Sequence, residues 1–180
     1  MVKLVKKSGF FAVACSMLGA LMLGMGGMSI AQAKPVEMLV EKSWATYRND
    51  ENGKRTCFIS SVPTKSVGKY DPANRGEVRI FVSHGPGKSD RNIVQFLAGY
   101  KYKTQTDVEV KIDNKKFKLF TIEGRAFAES EEDDIAMIRA MKRGSKMTVV
   151  GVSSRGTKTT DTYSLAGFTK AKNLMDKTCK

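Results

Sequence analysis

Apolar residues recur at every second position through most of the chain beyond residue 42, in short runs separated by Gly, Pro, Asn and Asp. A period of two is the mark of half-buried β-strands. Residues 43–48 carry Trp44 and Tyr47, and residues 55–62 carry Cys57, Phe58 and Ile59. Residues 77–83 alternate Val78, Ile80 and Val82 with Glu77, Arg79 and Phe81, and a further strand is predicted over 92–98. Between these runs, the polar stretch 63–76 holds Gly and Pro and reads as a long loop.

The clearest local pattern lies in 107–121. Val108, Val110 and Ile112 share one face, and Phe117, Leu119 and Thr121 share a face after a turn at Asp113 and Asn114. A two-residue loop there sets Val110 opposite Phe117 and Val108 opposite Leu119. The same register pairs Glu109 with Lys118 and, unfavourably, Lys111 with Lys116. A register shifted by two keeps both apolar faces, so the pattern fixes the hairpin more firmly than its pairing. A second hairpin is expected from 146–153 and 158–164 around Arg155 and Gly156.

Two segments change to a helical period. Ser130 can cap a helix that opens on Glu131, Glu132, Asp133 and Asp134, where carboxylates complement the positive helix end. Ile135, Ile138 and Met141 or Met137 form its apolar stripe, and Lys142, Arg143 and Gly144 end it. Ser164 is a candidate cap for a last helix, in which Phe168, Ala171 and Met175 recur. The resulting fold class is mainly β: an antiparallel β-sandwich or partly closed barrel with two short helices, the last at the C-terminus.

The first 33 residues change the picture. Lys3, Lys6 and Lys7 precede an apolar run that ends at Ala31-Gln32-Ala33, the pattern of a cleaved signal peptide. An uncleaved membrane anchor is the competing reading, because the run is about as long as a bilayer span. Gly19, Gly24, Gly26 and Gly27 weigh against it. Cys15 follows a weak lipobox imitation, but the apolar run continues beyond it. The expected division is therefore a signal peptide over 1–33 and one β-rich domain over 34–180, expected to be periplasmic, with outer-membrane association or secretion as alternatives. Removing the three lysines takes only three units from the net charge of +13, so the domain stays strongly basic.

Export leaves two cysteines, Cys57 and Cys179, and an even pair in an oxidising compartment should form a disulfide. A C-terminal helix would deliver Cys179 to Cys57. Neither thiol would then remain as a nucleophile.

Catalytic and cofactor patterns are lacking. His84 is the chain's single histidine, which excludes a multi-histidine metal site, and its place beside Gly85 and Pro86 suggests a loop. The run Gly85-Pro86-Gly87-Lys88-Ser89 contains GKS, but Val82 stands where a phosphate loop needs glycine, so a turn is expected. Four consecutive acids at a helix start point in different directions and make no carboxylate pair. No cofactor and no metal are expected. The basic excess is more informative. Lys101, Lys103, Lys111, Lys116 and Lys118, with Lys115 nearby, are the candidate polyanion-binding residues. The alternative is a lysine-rich surface that only solubilises the protein and protects strand edges. No RNP-type motif accompanies them, and nucleic acid is not an expected partner.

The segment Met141-Lys142-Arg143-Gly144-Ser145-Lys146-Met147, the string Ser153-Ser154-Arg155-Gly156-Thr157, and Thr159-Thr160-Asp161-Thr162-Tyr163-Ser164-Leu165 together resemble the invasion-associated locus B (IalB) family of alphaproteobacteria. Arg75-Gly76-Glu77-Val78, Phe81-Val82-Ser83-His84 and Ala98-Gly99-Tyr100 agree with it, as do Trp44, Cys57 and Cys179. Family members typically have Gly where this chain has Asn114, which also tolerates a left-handed turn. The resemblance implies a small exported β-rich protein without established catalytic residues, linked in some pathogens to host-cell entry. The expected role is non-catalytic binding in the cell envelope or at a host-cell surface, to a protein or an anionic polymer. Contact with the membrane would be peripheral at most. The alternative is a periplasmic structural or stress-related protein without host contact.

Overall fold

The alternation along the chain becomes eleven antiparallel strands and two α-helices in the computed structural model, which describes residues 34–180. The leader assigned to 1–33, with Cys15 and the cleavage site after Ala33, lies outside the described residues. In chain order the elements are β1 (Val36–Glu41), β2 (Trp44–Glu51), β3 (Lys54–Ser61), β4 (Lys65–Gly68), β5 (Arg79–His84) and β6 (Arg91–Leu97). There follow β7 (Val108–Ile112), β8 (Lys115–Ile122), β9 (Arg125–Phe127), α1 (Glu131–Arg143), β10 (Lys146–Val152), β11 (Lys158–Ser164) and α2 (Phe168–Thr178).

The strands form one open sheet in the order β1-β2-β3-β5-β6-β9-β8-β7-β10-β11-β4. β8 belongs to both arms: Lys115 to Leu119 pair with β7, whereas Phe120 to Ile122 pair with β9. The arms face each other across the core, where the rings of Phe96 on β6 and Tyr163 on β11 meet edge-on at 6.4 Å. Helices α1 and α2 fill the space on the same inner side, α1 against β6 and α2 against β2 and β3. Trp44, Ile59, Ile80, Val94, Phe96, Met147, Tyr163, Phe168 and Met175 form the centre of a single hydrophobic core. Each fully buried large side chain of this kind contributes about 1.5–3 kcal/mol.

The β7–β8 hairpin has the register read from its pattern, with Val110 opposite Phe117, Val108 opposite Leu119 and Lys111 opposite Lys116. Its left-handed residue is Asp113 (φ 47°) rather than Asn114. Asp113 is held there because its carboxylate accepts the Ser145 and Lys146 N–H groups and the Ser145 hydroxyl. Ser130 caps α1 as expected, its hydroxyl accepting the Asp133 N–H at 3.2 Å.

Four local expectations change. The stretch 63–76 contains β4 and a 3-10 turn, Pro72–Asn74, capped by Asp71. β4 pairs with β11 at the sheet edge, where all its residues are exposed and no apolar alternation is required. β1 and β9 are additional strands. The cap of α2 is Gly167, not Ser164, whose hydroxyl instead accepts the Ala166 N–H. Gly167 takes φ 97°, and a Cβ there would lie 2.0 Å from the Glu41 carbonyl oxygen. Finally, Ile135 is only half-buried, and α1 packs through Met137, Ile138, Ala140 and Met141.

Candidate functional site

Cross-strand pairing decides which side chains share a face, and it gathers lysines on the outer side of the β8-β7-β10-β11-β4 arm. Lys116 lies opposite Lys111, Lys111 opposite Thr148, Thr148 opposite Thr162, and Thr162 opposite Lys65. The next row runs Lys118, Glu109, Val150, Thr160 and Val67. Lys146 opposite Ser164 and Lys158 opposite Val152 extend the face at its two ends. All six lysines are exposed. Among the described strand residues of this face Glu109 is the one acid, and Asp107 just before β7 lies 3.5 Å from Lys118. Lys111 and Lys116 are like charges directly opposite each other, an arrangement that costs stability unless an anion sits over it.

Of the five lysines singled out from the sequence, Lys111, Lys116 and Lys118 therefore share this face. Lys101 and Lys103 do not. They precede β7 in a loop bound to the far end of β10, where the Lys103 N–H donates to the Val152 carbonyl and the Lys101 carbonyl accepts from Ser154. Lys101 is ion-paired with Glu123 at 2.7 Å.

Inside the same arm lies a charged cluster without a sequence forecast. Asp161 faces inward from β11, and its carboxylate takes Arg75 Nη1 at 2.9 Å, Arg75 Nη2 at 2.6 Å and the Ser66 hydroxyl at 2.6 Å. Both side chains of the ion pair are 6% exposed. Arg75 also donates through Nε to the Ala98 carbonyl and through Nη1 to the Tyr70 hydroxyl. The guanidinium sits between two rings, 5.1 Å from the centroid of Tyr70 and 5.2 Å from that of Tyr100. Burial works against the charge, but the hydrogen bonds it donates to Asp161 and Tyr70 raise its pKa above the ordinary arginine value. The one local trace in the sequence is glycine beside Arg75 and beside Tyr100, since Gly76 and Gly99 approach each other closely. The pairing partner 86 residues away could not be read from it.

His84 is a correction. It is the last residue of β5, fully buried, rather than a loop histidine. A bulge at Ser83/His84 and the left-handed Asn92 (φ 62°) turn the Asn92 N–H onto His84 Nδ1 at 3.0 Å. With Nδ1 accepting, Nε2 carries the proton and donates to Asp176 Oδ1 at 2.8 Å on α2. Burial lowers the His84 pKa, which keeps the ring neutral. Lys172, one turn before Asp176 and also buried, donates to the same oxygen. His84 lies opposite Cys57 across β3 and β5, and Cys57 is bonded to Cys179 with their Cα atoms 5.9 Å apart. Arg91 donates to the Cys179 carbonyl. These contacts fasten α2 and the chain end to the sheet. They leave His84 without an approachable nitrogen.

The remaining sequence features resolve into structure. Gly85 to Asp90 form the β5–β6 turn, closed by the Gly85 N–H on the Asp90 carbonyl. Asp134 turns inward from α1 and accepts the Val94 N–H at 2.9 Å, with its pKa pushed up by burial to about 6. Among the described residues no group of three or more His, Cys, Asp or Glu converges as metal ligands would. No described helix is long and apolar enough to cross a membrane.

Residues 44–176 match the family described as Invasion associated locus B (IalB) protein. The fold is similar to the crystal structure of invasion associated protein b from Bartonella henselae, with a TM-score of 0.52 at 12% identity. That likeness covers 78% of this chain and 94% of the other, and at such identity it speaks to the fold. No curated protein sequence matches the chain. The family match starts at the buried Trp44 and ends at Asp176 beside the disulfide, and the chain belongs to the invasion associated locus B (IalB) family.

Proposed function

We propose that this protein is exported after cleavage behind Ala33 and works without catalysis, by binding an anionic polymer in the cell envelope or at a host-cell surface. The row of Lys116, Lys111 and Lys65, joined through Thr148 and Thr162, carries this reading. A sheet face with six exposed lysines concentrates positive potential over several strands. An anionic chain lying on it would relieve the Lys111–Lys116 repulsion, so that ligand charge is matched by geometry already in place. The threonines between the lysines supply hydroxyls for hydrogen bonds once the chain has been attracted. The structural relative is an invasion associated protein, which supports the host-surface version of the role.

The test is retention on a heparin-like polymer as salt is varied. Lys111→Glu with Lys116→Glu is expected to weaken binding and to flatten the slope of log affinity against log salt by about two units. Unchanged affinity and slope would refute the lysine face as the contact and leave it a solubilising surface. External protease on intact cells then separates the locations. Digestion before the outer membrane is opened supports surface display, whereas protection supports a periplasmic role without host contact.

A further inference from the structure

A separate cleft opens at the end of the β10–β11 hairpin opposite Lys111 and Lys116. Its volume is about 490 Å³, within the range of small-molecule sites. Three segments form its walls: Lys69 to Arg75 after β4, Gly99 to Lys101 after β6, and the turn from Ser153 to Thr157. The lining contains no aliphatic side chain; apart from Gly99 it consists of cations, hydroxyl-bearing residues, Asn74 and Asp71. Most small-molecule sites are predominantly apolar. A lining that is mainly polar, with the rings of Tyr70 and Tyr100 as its apolar part, favours a ligand that presents hydroxyls and charge around a compact ring.

The charge of the cleft indicates the sign of that ligand. Lys69, Arg75, Lys101 and Arg155 line it against Asp71. Arg75 is committed to Asp161, and Lys101 to Glu123. Lys69 and Arg155 form no ion pair with a described residue and come from two different wall segments, the stretch after β4 and the β10–β11 turn. The hydroxyls of Ser154 and Thr157 lie on the same turn as Arg155. Asp71, whose carboxylate caps the 3-10 turn, adds an acceptor of the kind that recognises sugar hydroxyls.

The walls are held before any ligand arrives. The Gly76 N–H donates to the Gly99 carbonyl at 2.9 Å, and the Ser154 N–H donates to the Lys101 carbonyl at 2.8 Å. Gly99 has φ 75°, and a Cβ there would sit 2.4 Å from the Gly76 carbonyl oxygen, so no other residue fits. Behind the cleft, the Tyr100 hydroxyl is 2.6 Å from Thr159 Oγ1, and Arg75 is clamped between Tyr70 and Tyr100. Such pre-organisation reduces the ordering cost that binding would otherwise carry.

We propose that this cleft binds an anionic saccharide unit, with Lys69 and Arg155 taking its carboxylate or sulfate from their two segments and Ser154, Thr157 and Asp71 meeting its hydroxyls. The site is distinct from the lysine face of the proposed function: one holds a single charged sugar unit, the other the length of a polymer. The same sugar chemistry occurs in envelope and host-surface glycans, so the cleft does not depend on where the protein is displayed.

The test uses the purified protein with a sulfated uronic-acid disaccharide, followed by amide chemical shifts and calorimetry. Saturable shifts are expected at Lys69–Arg75 and Ser153–Thr157. Lys69→Ala with Arg155→Ala should reduce disaccharide affinity by about tenfold or more, since charge-assisted contacts are lost from both walls. Both substitutions are at exposed positions, so the variant keeps its fold, which the unshifted remainder of the spectrum verifies. Lys111→Glu with Lys116→Glu should leave disaccharide affinity within about twofold while weakening long heparin. If the face variant loses the disaccharide and the cleft variant retains it, the cleft is refuted and the lysine face stands. Absence of shifts at the cleft amides also refutes it. Inorganic sulfate binding there as tightly as the disaccharide would reduce it to an anion site and overturn the saccharide assignment.

Discussion

Asp161→Asn removes one charge from the buried pair with Arg75 and nearly nothing from its volume. The guanidinium cannot shed its proton to escape burial. It would remain between the rings of Tyr70 and Tyr100 with the Ala98 carbonyl and Tyr70 hydroxyl as its polar partners. Both side chains are only 6% exposed, so water from the adjoining cleft reaches too little of the guanidinium to replace the lost carboxylate fully. Removing one member of a buried pair costs about 3–5 kcal/mol. The amide oxygen that the substitution leaves in place can keep one hydrogen bond of about 1 kcal/mol, which lowers the expected loss to about 2–4 kcal/mol. For a domain of this size that corresponds to a fall in Tm of roughly 5–15 °C.

Unfolding in urea, followed by the fluorescence of Trp44, measures this directly. Trp44 is the chain's one tryptophan and is fully buried, with its indole N–H on the Ser164 carbonyl. The decisive control is Arg75→Met combined with Asp161→Asn, which removes the stranded charge. The double variant should be more stable than Asp161→Asn alone, because a buried pair can be replaced at lower cost than it can be halved. A loss below about 1 kcal/mol for Asp161→Asn would refute the reasoning, as would a double variant whose loss equals the sum of the two single losses.

Cys57→Ser with Cys179→Ser opens a link across 122 residues of sequence, and chain-entropy arithmetic gives a loss of about 4–5 kcal/mol in the same urea assay. Asp134, whose pKa rises from 3.8 to about 6 on burial, takes up its proton more readily in the folded state. It therefore adds stability as pH falls from about 6 towards 4 and lowers it above 6; Asp134→Asn should remove that acid-side gain and be more stable at pH 7 by on the order of 1–2 kcal/mol. His84 has the opposite sign: its lowered folded pKa makes the unfolded chain the stronger proton binder, so its contribution is present above the ordinary value of 6.5 and lost as pH falls through the folded value. A steeper acid-side loss of Tm in Asp134→Asn than in the parent would display both signs. Gly167→Ala places a side chain at φ 97° and against the Glu41 carbonyl, and should lower stability by about 2 kcal/mol or more, with α2 losing amide-exchange protection first.

What the sequence made legible follows from the range of the interaction involved. The β7–β8 hairpin was readable because the apolar positions on each strand had to face the same core, and a two-residue turn at Asp113 and Asn114 brings them opposite one another. The cap at Ser130 and the stripe through Ile138 and Met141 were readable for the same reason, being settled within a few residues. The bond between Cys57 and Cys179 was legible across the chain because the expected export, by setting Cys15 aside, left them as an even pair. By contrast, β4 is an exposed edge strand whose one apolar side chain, Val67, faces solvent, so no hydrophobic pattern announces it. Yet β4 is what carries Ser66 to Asp161 and brings the chain round to Tyr70 and Arg75. The cleft was hidden with it. His84 was misplaced because a histidine beside a Gly-Pro turn looks solvated until α2 is packed over it with Asp176 and Lys172. The lysines show the limit most clearly: five were picked by proximity in sequence, but pairing keeps Lys111, Lys116 and Lys118, adds Lys65, Lys146 and Lys158, and sends Lys101 to the rim of the cleft. A binding surface on a sheet is assembled across strands, and composition along the chain gives its charge but not its membership.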